Sequence, residues 1–476
     1  MAEGKIRIAG EFEISVCKLN LINGEEIDLL TNETPLIQLK LREGIMFSGI
    51  VGQLLFGDSM NIKSMGPIIG QETLLLKMQT TQGFDEETAS WDFTVNNLAV
   101  TKIVASKDLS DVHNATMIEF VSQELKENYR MRLSQTYEGE ISKIVETILK
   151  KDLNSGKNLF IEPTIGKKKF IAPNMCPFDV INLLKRQAIS ENKEPTYHFW
   201  ESTNGYHFRT LDSMYGENNP IMKYEPAGAS HPGDVMETIS SLLEYEILGH
   251  GDITDGFEFG CFSSKLIEHD IYNKTYTTHE YDYLDPKSLD VKMAAGEYGG
   301  EGNPIYSESP INSKGDTLTK KKEKVFLFPT ALKDRKLKTD ATYSTGVGGG
   351  NAPKYNYTAK NAGDWYQRRN MISSMFDGET SLGPTLKISV HGNSIINAGD
   401  LIMIDIPGNE NHPIDMIYNG PFLVQTIDHN FQLTSKKHSM SMIVSKDSLK
   451  EKLPSNYIKY GKGSGRVIKS YYTDGF

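Results

Sequence analysis

Cysteine is scarce in this sequence. Cys17, Cys176 and Cys261 are the three in 476 residues, an odd number with no CxxC spacing. That excludes a disulfide framework and points to reduced, structural thiols of a chain made in a cytoplasm. No run of about 18 apolar residues occurs, so no membrane-spanning helix is expected. The opening MAEGKIRIAGEFEISV alternates polar and apolar residues and lacks the continuous apolar core of a signal peptide. An excess of positive charge is missing too: 51 Lys and Arg stand against 62 Asp and Glu, net −11, with a pI near 5.6. Such a chain is poorly suited to gripping nucleic acid by its phosphates, though compatible with a surface that nucleic acid slides past. No repeat at solenoid periods is visible. These absences describe a soluble protein assembled inside a cell, with no membrane contact.

What is present is ordinary globular material, 38% apolar and 24% charged, enough for roughly three domains of ~150 residues. The acidity is uneven. Residues 1–150 carry 14 basic and 22 acidic side chains (net −8), residues 151–380 carry 27 and 32 (net −5), and residues 381–476 carry 10 and 8 (net +2).

The first hundred residues have the period-2 alternation of half-buried strands, as in Ile6, Ile8, Phe12, Ile14 and Val16. Strand-like runs follow at 45–56, 68–80 and 91–105, with turn signals at Asn23-Gly24, Gly57-Asp58 and Gly83. Residues 1–112 are therefore expected to form a first tube-like β-barrel. The pattern then turns helical. Met117, Ile118, Val121 and Leu125 share a stripe over 114–129, and Ile141, Ile144, Val145, Ile148 and Leu149 share another over 141–151. A third helix is expected from Pro177 to about Ser190. Asn204-Gly205 then sits between Tyr197/Phe199 and Tyr206/Phe208, which predicts a tight hairpin over 195–211. Residues 113–228 thus read as an α+β domain.

Residues 231–248 fit helix and strand alike, and 257–284 read as strands. Periodicity collapses over 291–364, a Gly-rich insertion or loop that contains KKKEK (320–324) and GVGGGN (346–351). A helix is expected over 364–376. Four strands follow, at 386–392, 400–407, 421–433 and 438–445. Residues 229–290 and 365–446 are assigned to a second barrel, and 447–476 to a C-terminal tail. The fold class is mainly β with α+β parts: two barrels, an α+β domain and a long insertion.

The search for chemistry returns no catalytic, cofactor-binding or metal site. His279-Glu280 opens like a zincin, but Tyr283 stands where the second histidine belongs. His269, His391, His429 and His438 fall in or beside strands, where cross-strand pairing is the commoner explanation. GVGGGN is neither a P-loop nor a dinucleotide fingerprint, and HGNS at 391–394 is not a nucleophile elbow. Glu201, on the aromatic hairpin, is the best single candidate for a glycosidase acid, against the bland expectation of a solvated hairpin-edge carboxylate. KKKEK is expected to be a solvated loop or a contact with a partner's acidic face.

Five segments in collinear order resemble one family. They are MGPIIGQETLLLKM (65–78) with FTVNNLAVTKI (93–103); YRMRLSQTYEGEISKIVETILKK (129–151); FIAPNMCPFDVINLLKRQAIS with YHFWESTNGYHFRTL; HDIYNKTYTTHEYDYL; and WYQRR leading to LKISVHGNSIINAGDLIMIDIP. The chain resembles baseplate central hub proteins of contractile-tailed, T-even-like phages, which are similar in fold to the N-terminal part of type VI secretion VgrG spikes. The resemblance implies a homotrimer of two similar barrels per subunit, forming a pseudo-hexameric ring between tail tube and central spike. Baseplate wedge and tape-measure proteins are further implied partners. DNA would leave through the lumen without specific binding, and the location would be the virion tail. No lysozyme-like segment is present, so lytic activity would belong to a separate spike protein; a tail-associated cell-wall glycosidase using Glu201 is the rival. Asn393, Gly399 and Asp400 resemble positions that shape the second barrel, while Tyr197, Phe199, Tyr206 and Phe208 are expected to anchor the hairpin in its own core. The acidic first barrel is expected to line the channel, where like charge disfavours adsorption of DNA.

Overall fold

The computed structural model describes residues 9–32, 34–59, 62, 68–80, 90–108, 114–192, 194–216, 220–226, 238–249, 251–270, 274–283, 303–306, 311–320, 324–330, 382–406 and 417–449. Strands β1 (Glu13–Asn20), β2 (Leu36–Gly44), β3 (Val51–Asp58), β4 (Thr73–Gln79), β5 (Leu98–Asp108) and β6 (Asn114–Ser122) build a first barrel. Strands β7 (Met222–Pro226), β8 (Ser241–Gly249), β9 (Thr385–His391), β10 (Leu401–Ile404), β11 (Gly420–Gln432) and β12 (Lys437–Ser445) build a second. Their alternation sets the inner face. Gly52, Leu54 and Phe56 of β3 and Leu74, Leu76 and Met78 of β4 are buried, while the residues between them reach solvent. One core takes Cys17, Leu39, Phe56, Leu76, Val100 and Phe120; the other takes Tyr224, Ile388, Ile404, Val424 and Met442. Each such side chain contributes about 1.5–3 kcal/mol by leaving water.

The first barrel runs in the order β1-β4-β5-β6-β3-β2 and the second in the order β7-β10-β11-β12-β9-β8. Each strand of one therefore takes the place of the strand six later in the other. The match extends to irregularities. Leu36 pairs with Phe56 and Gln38 with Leu55, leaving Ile37 extra; Leu242 pairs with Val390 and Glu244 with Ser389, leaving Leu243 extra. Thr101 is likewise skipped between β5 and β6, and Gln425 between β11 and β12. Bulges insert one unpaired residue and bend a strand, so two at matching places make the barrels structural copies. The copies differ at their first strands, β1 being antiparallel to β4 and β7 parallel to β10. The second barrel closes through Glu225–Ser241 and Pro226–Leu242. In the first, Leu29 bridges the gap, donating to the Cys17 carbonyl and accepting from Leu36.

Between the barrels lies an α+β block with its own core. Helices Gln123–Arg130, Ile141–Thr147 (continuing as a π-helix over Ile148–Asp152) and Pro177–Lys185 pack with the hairpin His198–Ser202/Gly205–Arg209, and strand Leu159–Ile161 runs parallel to the hairpin. The hairpin turns at Asn204-Gly205 as expected, and Tyr197, Phe199, Tyr206 and Phe208 are all buried in this core.

Several expectations need correction. The helix expected over 114–129 is strand as far as Ser122, so the first barrel's sheet runs past residue 112. β3 and β5 pair on both its edges, and Thr116, Ile118 and Phe120 alternate inward. β7 lies within the span assigned to the α+β domain, yet it pairs in the second barrel. The ambiguous 231–248 is strand from Ser241. The strands expected from 257 are preceded by a helix, Ile253–Phe259. The insertion is not a plain loop. Lys324–Thr330 pairs in parallel with Ser263–Asp270, and Asn303–Pro304 pairs with Ser448–Leu449 at the start of the expected tail. Ile305, Tyr306 and Leu318 are buried with Phe262 and Leu382. Ladders supplied by distant strands are invisible in local composition. GVGGGN, the helix expected over 364–376 and residues 450–476 lie outside the described residues. Among the described residues no helix is long and apolar enough to cross a membrane. Cys17, Cys176 and Cys261 are buried and form no disulfide.

Candidate functional site at the junction of the barrels

β11 belongs to both barrels. Its first residues pair with β10, from Leu423–Leu401 to Gly420–Ile404, and the strand then runs on so that Thr426–Gln432 pairs with Gly44–Gln38 of β2. Gln38 Nε2 donates to Asn430 Oδ1 at 2.7 Å, and Arg42 Nη2 donates to Asp428 Oδ2 at 2.8 Å. The Arg42–Asp428 pair is half-exposed, so it serves register more than stability; such pairs contribute about 0–1 kcal/mol. Apolar burial supplies the rest, since Phe431 of β11 enters the first barrel's core beside Phe12, with ring centres 5.1 Å apart.

Two buried polar groups flank this seam. In the first, His429 Nδ1 lies 3.1 Å from His438 Nε2. Trp91 meets His429 edge-on at 4.7 Å and donates its indole N–H to the Ser394 carbonyl, and Phe431 stacks on His438 at 3.9 Å. Burial pushes His429 down to about 3 and His438 well below the ordinary range. Both rings are therefore neutral near pH 7, with one N–H shared between them.

The second group is ionic. The buried Glu43 accepts the Thr203 and Ala398 backbone N–H groups, each at 2.8 Å. Desolvation pushes Glu43 up to about 8; the two N–H groups oppose this, and Asp400 and Glu201 add to it. Glu201, fully buried, accepts from Ile50 N at 3.0 Å, Tyr206 Oη at 3.2 Å and Lys157 Nζ at 2.6 Å. Lys157 also pairs with Glu124. Burial works against the Lys157 charge, but the Glu201 and Glu124 carboxylates outweigh it and hold the ammonium above its ordinary value. Glu201 is thus neither a solvated edge carboxylate nor an acid open to a sugar. Both its oxygens are hydrogen-bonded and it is fully buried, with the segment between β2 and β3 over the hairpin.

The loop from β9 to β10 docks on the same hairpin. Asn393 Oδ1 accepts the Ile395 N–H at 3.0 Å, and Asp400 Oδ2 accepts that of Asn397 at 2.8 Å. Burial pushes Asp400 up to about 6. Thr203 Oγ1 donates to Asn397 Oδ1, and Trp200 Nε1 to the Ala398 carbonyl. Asn393, Gly399 and Asp400 thus all shape this loop, and no substrate-sized opening is needed to explain them. The remaining candidates disperse. His279 pairs across strands with Glu268 at 3.0 Å, Lys320 with Asp316, and Lys324 lies over the Phe259 ring. Among the described residues no three His, Cys, Asp or Glu side chains are grouped to hold a metal. Sequence reasoning missed Glu43, Lys157 and the His429–His438 pair as a unit. Glu43 and Lys157 find their partners far along the chain, and nothing local marks them.

No protein-family model matches the sequence, and no curated protein does. Among solved structures, the chain is similar to the tail protein from Neisseria meningitidis MC58, with TM-score 0.50 and 8% identity over 92% of this chain and 97% of that one. It is also similar to the 43 kDa tail protein of prophage MuSo2 from Shewanella oneidensis, with TM-score 0.49 and 10% identity over 91% and 99%. An E. coli type VI secretion component, itself described as similar to T4 bacteriophage tail proteins, aligns at TM-score 0.35 and 10% identity over 92% and 77%. At 8% identity the Neisseria likeness is one of fold. The expected mainly β fold with two barrels is the one observed, and the Neisseria tail protein is similar to it in fold.

Proposed function

We propose that this chain is the structural hub of a contractile phage tail baseplate, a homotrimer whose six barrels form a pseudo-hexameric ring. The carrying observation is the duplication: two barrels with the same strand order and matching bulges, joined edge to edge within one chain. A ring that joins a six-fold tube to a three-fold spike needs six similar contacts on one side and three on the other. A subunit that presents one barrel twice meets both demands. Its contacts are head to tail and close after a full rotation.

On this reading the partners are the tail tube protein, the central spike, and baseplate wedge and tape-measure proteins. DNA passes through the lumen without specific binding, and the acidity of the first third lines that channel. The role is structural and non-catalytic. Asn393, Gly399 and Asp400 have a structural role in shaping the second barrel, and the sealed environment of Glu201 argues against the glycosidase rival. The protein would reside in the virion tail after assembly in the host cytoplasm. Native mass measurement tests the proposal: the expected species is three times the 53.3 kDa chain. A chain that stays monomeric with and without a spike partner overturns it.

A further inference from the structure

We infer that neighbouring copies join by pairing β5 of one with β8 of the next, antiparallel, placing Lys107 opposite Glu246. This rests on the ring reading above and names its contact. Within the chain, the junction uses the second strand of the first barrel, β2, and the fifth strand of the second, β11. The counterparts left over are the fifth strand of the first barrel, β5, and the second strand of the second, β8.

Both leftover strands run past their partners, as β11 does. β5 pairs with β4 only at Leu98 and Ala99 but continues to Asp108. β8 pairs with β7 only at Ser241 and Leu242 but continues to Gly249. Among the described residues no other strand pairs along either edge. A sheet edge of this kind is a template for another strand.

Burial separates the used edge from the unused one. Leu39 pairs with Leu54 and Leu41 with Gly52; at the same places in the copy, Tyr245 pairs with Ile388 and Ile247 with Leu386. Leu39 and Leu41, with β11 against them, are 0% and 1% exposed, whereas Tyr245 and Ile247 are 44% and 50% exposed. Leu243 of the same strand is exposed as well. These apolar side chains lack the cover that their counterparts have.

The register follows from the internal junction, where Lys40 faces Asn430. Lys40 corresponds to Glu246, through the matching neighbours Gln53 and Lys387. Asn430 corresponds to Lys107, counted through the paired strands β12 and β6. An acidic position on β8 therefore meets a basic one on β5. Two copies of β8 paired with each other would bring Glu244 and Glu246 against their own kind, so charge selects the head-to-tail contact.

The test is disulfide trapping in the full chain, whose own three cysteines are buried. Lys107→Cys with Glu246→Cys is expected to give a covalent three-chain species under oxidation, and neither single variant is. Lys107→Glu is expected to lose the three-chain species in native mass measurement, and adding Glu246→Lys to restore it. Ile247→Asp, with thermal unfolding of the monomer unchanged, should also shift the protein to one chain. Trimers that form no cross-link at this pair or one residue to either side overturn the strand pairing and leave the hub reading standing. So does a cross-link within one chain, or dimers from Glu246→Cys alone. A wild-type chain that never trimerises sinks the ring itself.

Discussion

The Glu43 carboxylate of the first barrel accepts the N–H of Ala398, 355 residues away, at 2.8 Å on the β9–β10 loop of the second barrel. Its other oxygen takes the Thr203 N–H of the hairpin at 2.8 Å. Three parts of the chain therefore meet at one buried acid. The β2–β11 ladder sets how the barrels lie edge to edge, and Glu43 fixes the α+β block against both.

Replacing Glu43 by Gln is expected to cost about 1–3 kcal/mol, because an amide offers one acceptor oxygen to two buried N–H groups. It should also change the pH profile. The folded acid titrates at about 8 rather than its ordinary 4.5, so it binds its proton more tightly folded than unfolded. Its contribution is complete below 4.5 and is lost as pH rises through about 8. Urea unfolding at several values across this range should show wild-type stability declining with pH through this group, and Glu43→Gln lacking that component. An unchanged slope in the variant would show that the acid is already ionised in the folded chain.

Lys157 is the counter-charge for two buried carboxylates, Glu124 and Glu201, at 6% side-chain exposure. Lys157→Met keeps the aliphatic stem and removes the charge, leaving both acids uncompensated. A loss of about 3–5 kcal/mol is expected, the range for breaking a buried pair by one partner. The cost should shrink when Glu201→Gln is added, since the variant amide needs no cation. Thermal unfolding of the single and double variants measures this coupling, and additive losses would refute it.

The His429–His438 pair acts with the opposite sign to Glu43. Both histidines are depressed below 6.5, His429 to about 3, so the folded chain resists protonating them. Their contribution is present above 6.5 and is lost as pH falls toward 3, at up to about 1.4 kcal/mol per pH unit for each group. His438→Phe keeps a ring against Phe431 and removes one titrating group, which should roughly halve that acid slope. Denaturant midpoints between about pH 6.5 and 4 are the measurement; a variant as acid-sensitive as wild type would place the titration elsewhere.

Where strands pair with sequence neighbours, the alternation was legible. The Asn204-Gly205 hairpin and the four strands from Thr385 to Ser445 lie where the pattern put them, within a few residues. It failed where a partner is distant. Met117, Ile118, Val121 and Leu125 fit a helical stripe, yet the ladder to the distant β3, on the edge opposite the neighbouring β5, holds the segment as strand through Ser122. KVFLFPT, set between lysine-rich polar stretches, is strand because Ser263–Asp270 lies beside it. Glu201 seemed open to water because neither Lys157 nor the Ile50 amide is near it in sequence. Burial of a charged side chain depends on what packs over it, and no local period encodes that.

Gly399 holds φ at +95°, and a Cβ there would stand 2.7 Å from Trp200 Cζ2. Two separate costs therefore fall on Gly399→Ala. The left-handed backbone costs an alanine about 1–2 kcal/mol, and forcing a methyl against the indole adds about 1–3 kcal/mol. A total near 2–5 kcal/mol is expected from urea unfolding. Gly24→Ala is the control, since its φ is +86° but nothing lies within 4 Å of the new methyl. It should show the backbone cost alone. The difference between the two variants then isolates the contact that presses the β9–β10 loop onto the hairpin. Combining Gly399→Ala with Trp200→Phe, which removes Cζ2, should relieve the steric part while forfeiting the Trp200 hydrogen bond to the Ala398 carbonyl. If Gly399→Ala costs no more than Gly24→Ala, the loop has room to move away from Trp200, and the dock between the second barrel and the α+β block is looser than the packing at Gly399 implies.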